Sequence, residues 1–342
     1  MLIRTRRPAV SFRVDLRAVA VLLALGLVAL AGMIASVGYG EYPISPLDVL
    51  KTVLGFETGG QYDFIVNTLR LPRVLVAFLV GVGLAFAGAI LQGLTRNPLA
   101  APDIVGVNAG AGLAAVTLIV ALPSVPTALV PPAAFAGALL VAALLYLLAW
   151  RGNSSPIRLI LIGIGLGAVA TALTTLMITF GEIIQVSRAL IWLTGSVYAR
   201  GWEHLWPLLP WLAVFVPVAL LHSRHLNALN LGDEVARGLG ARVEVERGIL
   251  FLSSVALAAS AVATAGTVGF VGLMAPHIAR QLVGPSHGSL LPVAAMTGGM
   301  LVVLADLLGR VLFASIEIPC GIITAAVGAP YFLYLLYRSR NV

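Results

Sequence analysis

The chain has 342 residues, of which 60% are hydrophobic and only 10% are charged. Soluble domains carry about 25% charged residues, so this composition excludes a water-facing globular domain and makes lipid the main solvent. The net charge of +7 is spread over the ends of apolar runs, which argues against a nucleic-acid footprint, and the single cysteine, Cys320, excludes an intrachain disulfide.

Arg4, Arg6, Arg7, Arg13 and Arg17 precede the first uncharged run, 18–40. It is longer than the roughly 7–15 apolar residues of a signal-peptide core and many more runs follow, so it reads as a transmembrane helix. Further uncharged runs cover 74–95, 104–150, 159–181, 205–221, 249–276, 288–305 and 318–337. A spanning helix needs about 20 apolar residues, so 104–150 holds two, turning near Pro123, Pro126, Pro131 and Pro132. In 249–276 one helix runs to about Thr264. Gly266, Gly269 and Gly272 then break the pattern, and a shorter helix ends at Pro276. The expectation is an all-α polytopic membrane protein, one transmembrane domain over 1–342 with about ten spans.

With the N-terminus in the cytoplasm, inside segments hold 15 of the basic residues and outside segments hold six: Lys51, Arg70, Arg73, Arg188, Arg200 and Arg310. That asymmetry follows the positive-inside rule and puts both termini in the cytoplasm.

Gly81, Gly83, Gly88 and Gly93 stripe the second span, and Gly163 and Gly167 form a small-xxx-small pair in the fifth. Such residues permit close backbone packing; a solute path lined by backbone is the other reading. Asp306 is the only acid deep in an apolar run. Arg310, one helical turn on, makes a surface ion pair with it the expectation. The spans carry no ionisable group near their middles, which disfavours a proton- or sodium-coupled carrier. His222 and His225 read as a polar helix end rather than a metal site, since two ligands rarely hold zinc.

No phosphate-binding loop is present: Lys51 is the only lysine and has no glycine-rich turn before it. No His-Glu-x-x-His pattern supports an intramembrane enzyme either. An ATP-driven process would need its ATPase on another chain. The polar segment 223–247 is the candidate point of attachment. Leu231, Val235 and Leu239 are spaced by four, Asp233 and Glu234 stand at a helix start, Arg237 near its end, and Gly240 as terminator. A helix of about two turns is unstable alone, so it packs on a partner or on its own bundle.

Five segments carry a family resemblance. They are LRLPR (69–73), GAILQGLTRNPLAAPDIVGVNAGA (88–111), GDEVARGLG (232–240), GFVGLMAPHIAR (269–280) and IEIPCGIITAAVGAP (316–330). In this order they resemble the FecCD permeases of iron-chelate and cobalamin ABC importers, nearest the ferric-siderophore branch. The resemblance implies a type II importer permease in the bacterial cytoplasmic membrane, pairing with a second identical or related permease. The pathway would lie between the two. Two ATPase subunits, carrying the ATP and magnesium, would dock on the cytoplasmic side, and a periplasmic or lipid-anchored binding protein on the other. The chain itself would bind no cofactor and do no catalysis.

Residue by residue, the resemblance makes Gly232, Asp233, Glu234, Val235, Ala236, Arg237, Gly238 and Leu239 the coupling helix. It makes Arg70, Arg73 and Arg310 the docking points of the binding protein. Asn97, Leu99 and Ser155 would narrow the pathway, although Pro156 departs from the small hydroxyls of some relatives. Gly163, Gly167 and Thr171 would line it. The implied cargo is a ferric siderophore, with haem or cobalamin as the alternative and an ion-coupled carrier as the remaining class.

Overall fold

Residues 2–4, 11–13, 15–40, 42–56, 60–149, 156–312 and 317–339 are described in the computed structural model of the chain. A short antiparallel ribbon, β1 (Leu2–Arg4) with β2 (Ser11–Arg13), precedes the helices. Asp15 caps α1 (Leu16–Gly38), its carboxylate accepting the Arg17 N–H at 3.0 Å. Ser45 caps α2 (Pro46–Val53), whose first residue is a proline that has no N–H to leave unsatisfied. After α3 (Gly60–Asp63), a wide-turn segment (Phe64–Arg70) runs into α4 (Leu71–Thr95).

Next come α5 (Val107–Val116), α6 (Val130–Ala149), α7 (Pro156–Phe180), α8 (Ile183–Thr194) and α9 (Trp202–Leu221). The polar segment forms α10 (Ser223–Asn230) and α11 (Asp233–Gly238). The chain closes with α12 (Val243–Ala265), α13 (Val271–Val283), α14 (His287–Val311) and α15 (Cys320–Ser339).

Among the described residues, eight helices are long and apolar enough to cross a bilayer: α1, α4, α6, α7, α9, α12, α14 and α15. The shorter α5 and α13 fill the third and eighth places of the ten expected. The sequence pattern missed α8. Glu182, Arg188 and Arg200 make its surroundings read as a loop, yet its twelve residues form an apolar helix.

The break after α12 is also placed differently. It lies between Ala265 and Val271, with Gly266 and Phe270 at positive φ, and Gly272 sits inside α13. Nor does Pro276 end that helix, which continues to Val283. A proline frees the carbonyl four residues back; here the Gly272 carbonyl lies 3.5 Å from the Gln92 amide, which donates to it.

Burial separates inner from outer helices. In the most apolar windows of α4 and α12, 78% and 83% of residues are buried, against 11% for α1. α4 is the hub. It packs on α14, α12, α13 and α9, and glycines set the approach. A Cβ on Gly81 would lie 2.2 Å from the Gly298 carbonyl oxygen of α14, and one on Gly88 would lie 1.9 Å from that of Gly272 in α13. Backbone touches backbone at both crossings, the packing that small residues permit in lipid.

Gly88→Ala should therefore force α4 and α13 apart and cost about 1–3 kcal/mol, the usual penalty of overpacking. Gly165 on α7 faces open space, so Gly165→Ala is the control. Thermal unfolding of the two variants in detergent checks this: Gly88→Ala alone lowers the midpoint.

Candidate functional site

The end of the bundle that holds α10 and α11 is called here the insert end. Gly232, at φ 119, turns the chain into α11, and Gly240, at φ 84, turns it out again. Ala236 is fully buried against the bundle, whereas Leu231, Val235 and Leu239 are 67%, 48% and 67% exposed. The apolar stripe thus points away from the chain's own helices. Glu234, Arg237 and Gly238 share that exposed side.

What holds α11 is charge. Asp233 Oδ1 accepts hydrogen bonds from the guanidinium of Arg247, at 2.8 Å, and from that of Arg96. Arg247 belongs to α12 and its side chain is only 4% exposed. Partial burial pushes the Asp233 carboxyl up; the Arg247 hydrogen bond and the charges of Arg247 and Arg96 outweigh it and hold the group below the usual carboxylate range. Arg96 also donates from Nε to the Leu229 carbonyl of α10 at 2.9 Å.

Arg96 is the residue that ends α4, in the left-handed conformation at φ 51. Asn97 follows, its side-chain oxygen accepting the Leu99 N–H at 2.9 Å, an Asx turn that fixes the loop. Asn97 and Leu99 are both half-buried. One peptide bond therefore separates the clamp on α11 from this loop. Further along it, Asp103 accepts from the Asn108 amide and the Phe270 N–H, tying the loop to the α12–α13 break. Gly163 and Gly167 of α7 pack on the same loop, where a Cβ on Gly106 would lie 2.9 Å from the Gly163 carbonyl oxygen. Thr171, two turns from Gly163, is exposed. Ser155 lies outside the described residues.

The opposite end, called the arginine end, brings Arg70, Arg73 and Arg310 together. Arg70 donates to the Val37 and Tyr42 carbonyls at 2.9 and 2.8 Å. Arg73 donates to Asp306 at 2.8 Å and Glu317 at 2.9 Å, and its guanidinium lies 5.5 Å from the Tyr198 ring centre. Arg310 donates to the Tyr39 carbonyl at 3.1 Å and to the Ser36 hydroxyl, and its Nη2 forms an ion pair with Asp306 at 3.3 Å. The Asp306–Arg310 pair is thus no surface pair: Asp306 is 4% exposed. Arg73 reaches it from a helix 233 residues away, a partner that helical spacing cannot reveal.

His222 and His225 stand 3.6 and 3.5 Å from Glu246. Among the described residues no group of His, Cys, Asp or Glu is arranged to hold a metal ion.

Residues 27–338 match the FecCD transport family. The chain belongs to that family. It is a multi-pass permease of the type II ABC importer architecture, with every membrane-crossing element a helix among the described residues. It is 45% identical to the Fe(3+)-citrate import system permease YfmE of Bacillus subtilis, over 94% of this chain and 96% of that one. It is 43% identical to the cobalamin import system permease BtuC of Halobacterium salinarum, over 81% and 74%. Among solved structures, an inward-facing metal-chelate type ABC transporter superposes with a TM-score of 0.84 at 31% identity, covering 93% of this chain and 99% of that one.

Arg96 and Arg247 escaped notice in the FecCD pattern because both read as ordinary positive-inside charges. The only signal was their place: one ends a span, the other starts one, each beside the acid-led helix 233–238.

Asp306→Ala would leave two arginines, 13% and 9% exposed, without their shared counter-charge. Stability should fall by about 3–5 kcal/mol. Glu317 is 42% exposed, so Glu317→Gln should cost less than about 1 kcal/mol. Unfolding midpoints in detergent separate the two.

Proposed function

We propose that this chain is the membrane permease of an ATP-driven importer that carries ferric siderophores across a bacterial cytoplasmic membrane. One observation carries the reading. Val235 and Leu239 stand bare on a two-turn helix at a polar end of the bundle, while Ala236 and Asp233 anchor its other face. Apolar side chains displayed at a water-facing end fit a partner's groove. The partner would be one of two ATPase subunits, which hold the ATP and magnesium. The insert end is then cytoplasmic, as the arginine asymmetry indicates. Residues 232–239 act as the coupling helix, and the clamp to Arg96 passes their movement to the loop of Asn97 and Leu99, the narrowing of the pathway together with Ser155. A second permease, identical or related, completes a pathway to which α7 contributes Thr171. Gly163 and Gly167 support that wall from behind, through the seam with Gly106.

At the arginine end, Arg70, Arg73 and Arg310 serve a binding protein. Most of their donors are already engaged within the chain, which supports a preorganised positive rim that steers encounter and sets its rate more than its affinity. The chain performs no covalent chemistry.

Exchanging Val235 and Leu239 for Asp tests the coupling assignment. Both side chains are exposed, so folding should survive. Co-purification of the ATPase and uptake of the chelate should both be lost; a variant that keeps both would sink the reading.

The cobalamin relative, scarcely less identical than the citrate one, favours a second cargo reading. The absorbance spectrum of the loaded binding protein separates them: a ferric-chelate charge-transfer band is expected, and a haem or corrinoid spectrum would replace siderophore with the other cargo.

A further inference from the structure

A cavity of about 940 Å³ opens at the arginine end, away from both the α11 clamp and the Asn97 loop. α6 and α9 each pack on α12. They meet one another deeper in the bundle, where the Phe135 and Trp211 rings lie 4.4 Å apart and Trp211 stacks on Phe215. Above that aromatic floor, Ser260, Ala263 and Thr264 of α12 form the back wall. The first residues of α6 and the side of α8 close the flanks. The result is a groove between two helices with an apolar floor.

Its mouth is polar and carries net positive charge. Arg188 of α8 is exposed there, and Arg200 stands at the start of α9. Arg200 Nη1 is 2.8 Å from His204 Nε2, while its Nε is buried and has no hydrogen-bond partner among the described residues. Glu203, the one acid of the lining, lies 3.0 Å from His204 Nδ1. Gln185 completes the rim as a neutral donor and acceptor. Burial pulls the Arg200 guanidinium below its usual value, Glu203 opposing in part, so an added anion would stabilise its charge.

The helices that form the groove show apolar side chains outward beside its mouth: Leu129, just before α6, is 49% exposed and Trp206 of α9 is 63% exposed. Trp206 lies in the first turns of α9, close to His204 and to Arg200 just before the helix, the level at which tryptophan marks a membrane–water boundary. A ligand entering from this side must be amphipathic. It needs an anionic head for two arginines, which hold phosphate through planar pairs of N–H donors, and an apolar tail for the aromatic floor. A volume of this size sits at the upper end of ordinary ligand pockets.

We propose that the groove between α6 and α9 is a binding site for an anionic phospholipid, its phosphate held by Arg188 and Arg200 and an acyl chain laid on Phe135 and Trp211. Basic pockets between transmembrane helices bind acidic lipid headgroups by the same combination of fixed charge and apolar contact. The lipid would fill a cavity that otherwise separates α6 from α9 at this end.

The test uses the full chain in detergent, equilibrated with phosphatidylglycerol or phosphatidylcholine and then washed. Retained lipid is read by native mass spectrometry. Wild type should keep phosphatidylglycerol in preference. Arg188→Gln, an exposed change that leaves the fold intact, should cut that preference about fivefold, the worth of one basic residue near a charged surface. Ala263→Leu, which fills the groove without touching charge, should abolish retention of both lipids. Glycerol phosphate, the headgroup without a tail, should fail to displace the lipid. Equal retention of the two lipids by wild type, unchanged retention in both variants, or full displacement by glycerol phosphate would each overturn the proposal.

Discussion

Backbone-to-backbone contact along α4 is the constraint on which the remaining architecture depends. Lipid offers no hydrophobic drive between helices, so cohesion must come from close approach. Gly81 against Gly298 and Gly88 against Gly272 bring α4 onto α14 and α13 with no side chain between. Farther along, Gly93 lies where a Cβ would meet His287 and Leu226 at 2.8 Å, which seats α10 on the same helix. The backbone contacts of Gly81 and Gly88 thereby fix α4 along the middle of the bundle. Arg70 immediately precedes its first turn, which carries Arg73, and its last residue leads to Arg96 and Asn97. Both charged ends are built on the termini of the same helix.

The two ends use ions in different ways. At the arginine end two cations, Arg73 and Arg310, share two acids while Arg70 bonds backbone carbonyls, and the buried acid, Asp306, joins α4 to α14. At the insert end one half-buried acid, Asp233, joins three elements: α11, α4 and α12. An exposed pair is worth little, but a pair with one partner 4% exposed is costly to break from one side. The short α11, too small to fold alone, thus has a definite position before any partner arrives.

Spans were legible wherever the driving force was composition. Long uncharged runs foretold α1, α4, α6, α7, α9, α12, α14 and α15, and the glycines of α4 foretold close packing because only their missing side chains allow it. α8 was hidden because polar neighbours diluted a twelve-residue helix below the length that a bilayer demands. The far end of α13 was misplaced because Pro276 reads as an end in sequence, while Gln92, 184 positions earlier in the numbering, supplies the donor that lets the helix continue. The stripe Leu231, Val235 and Leu239 was visible as a period of four. Which way it faced was not, since that depends on Arg96 and Arg247 meeting Asp233 from two other helices. Asp306 likewise looked like half of a local pair until Arg73 reached it.

Under the proposed function, the clamp also constrains how a motor can act. Pulling α11 away from the bundle alone would strip Asp233 from the buried Arg247 guanidinium and leave it the longer contact with the partly exposed Glu244 at 3.7 Å, a costly loss for a buried charge. Moving α11 together with the first turn of α12 and the end of α4 breaks none of these contacts. The joint movement is the cheaper one. It carries Arg96, and with it the Asx turn of Asn97 and Leu99, while the glycine contacts of Gly81 and Gly88 hold the rest of α4 in place. Bending must then fall between Gly88 and Arg96, where Gly93 leaves α4 without a side chain against Leu226 and His287. The sequence of α4 thus divides into a rigid section set by backbone contact and a terminal section tied to the insert.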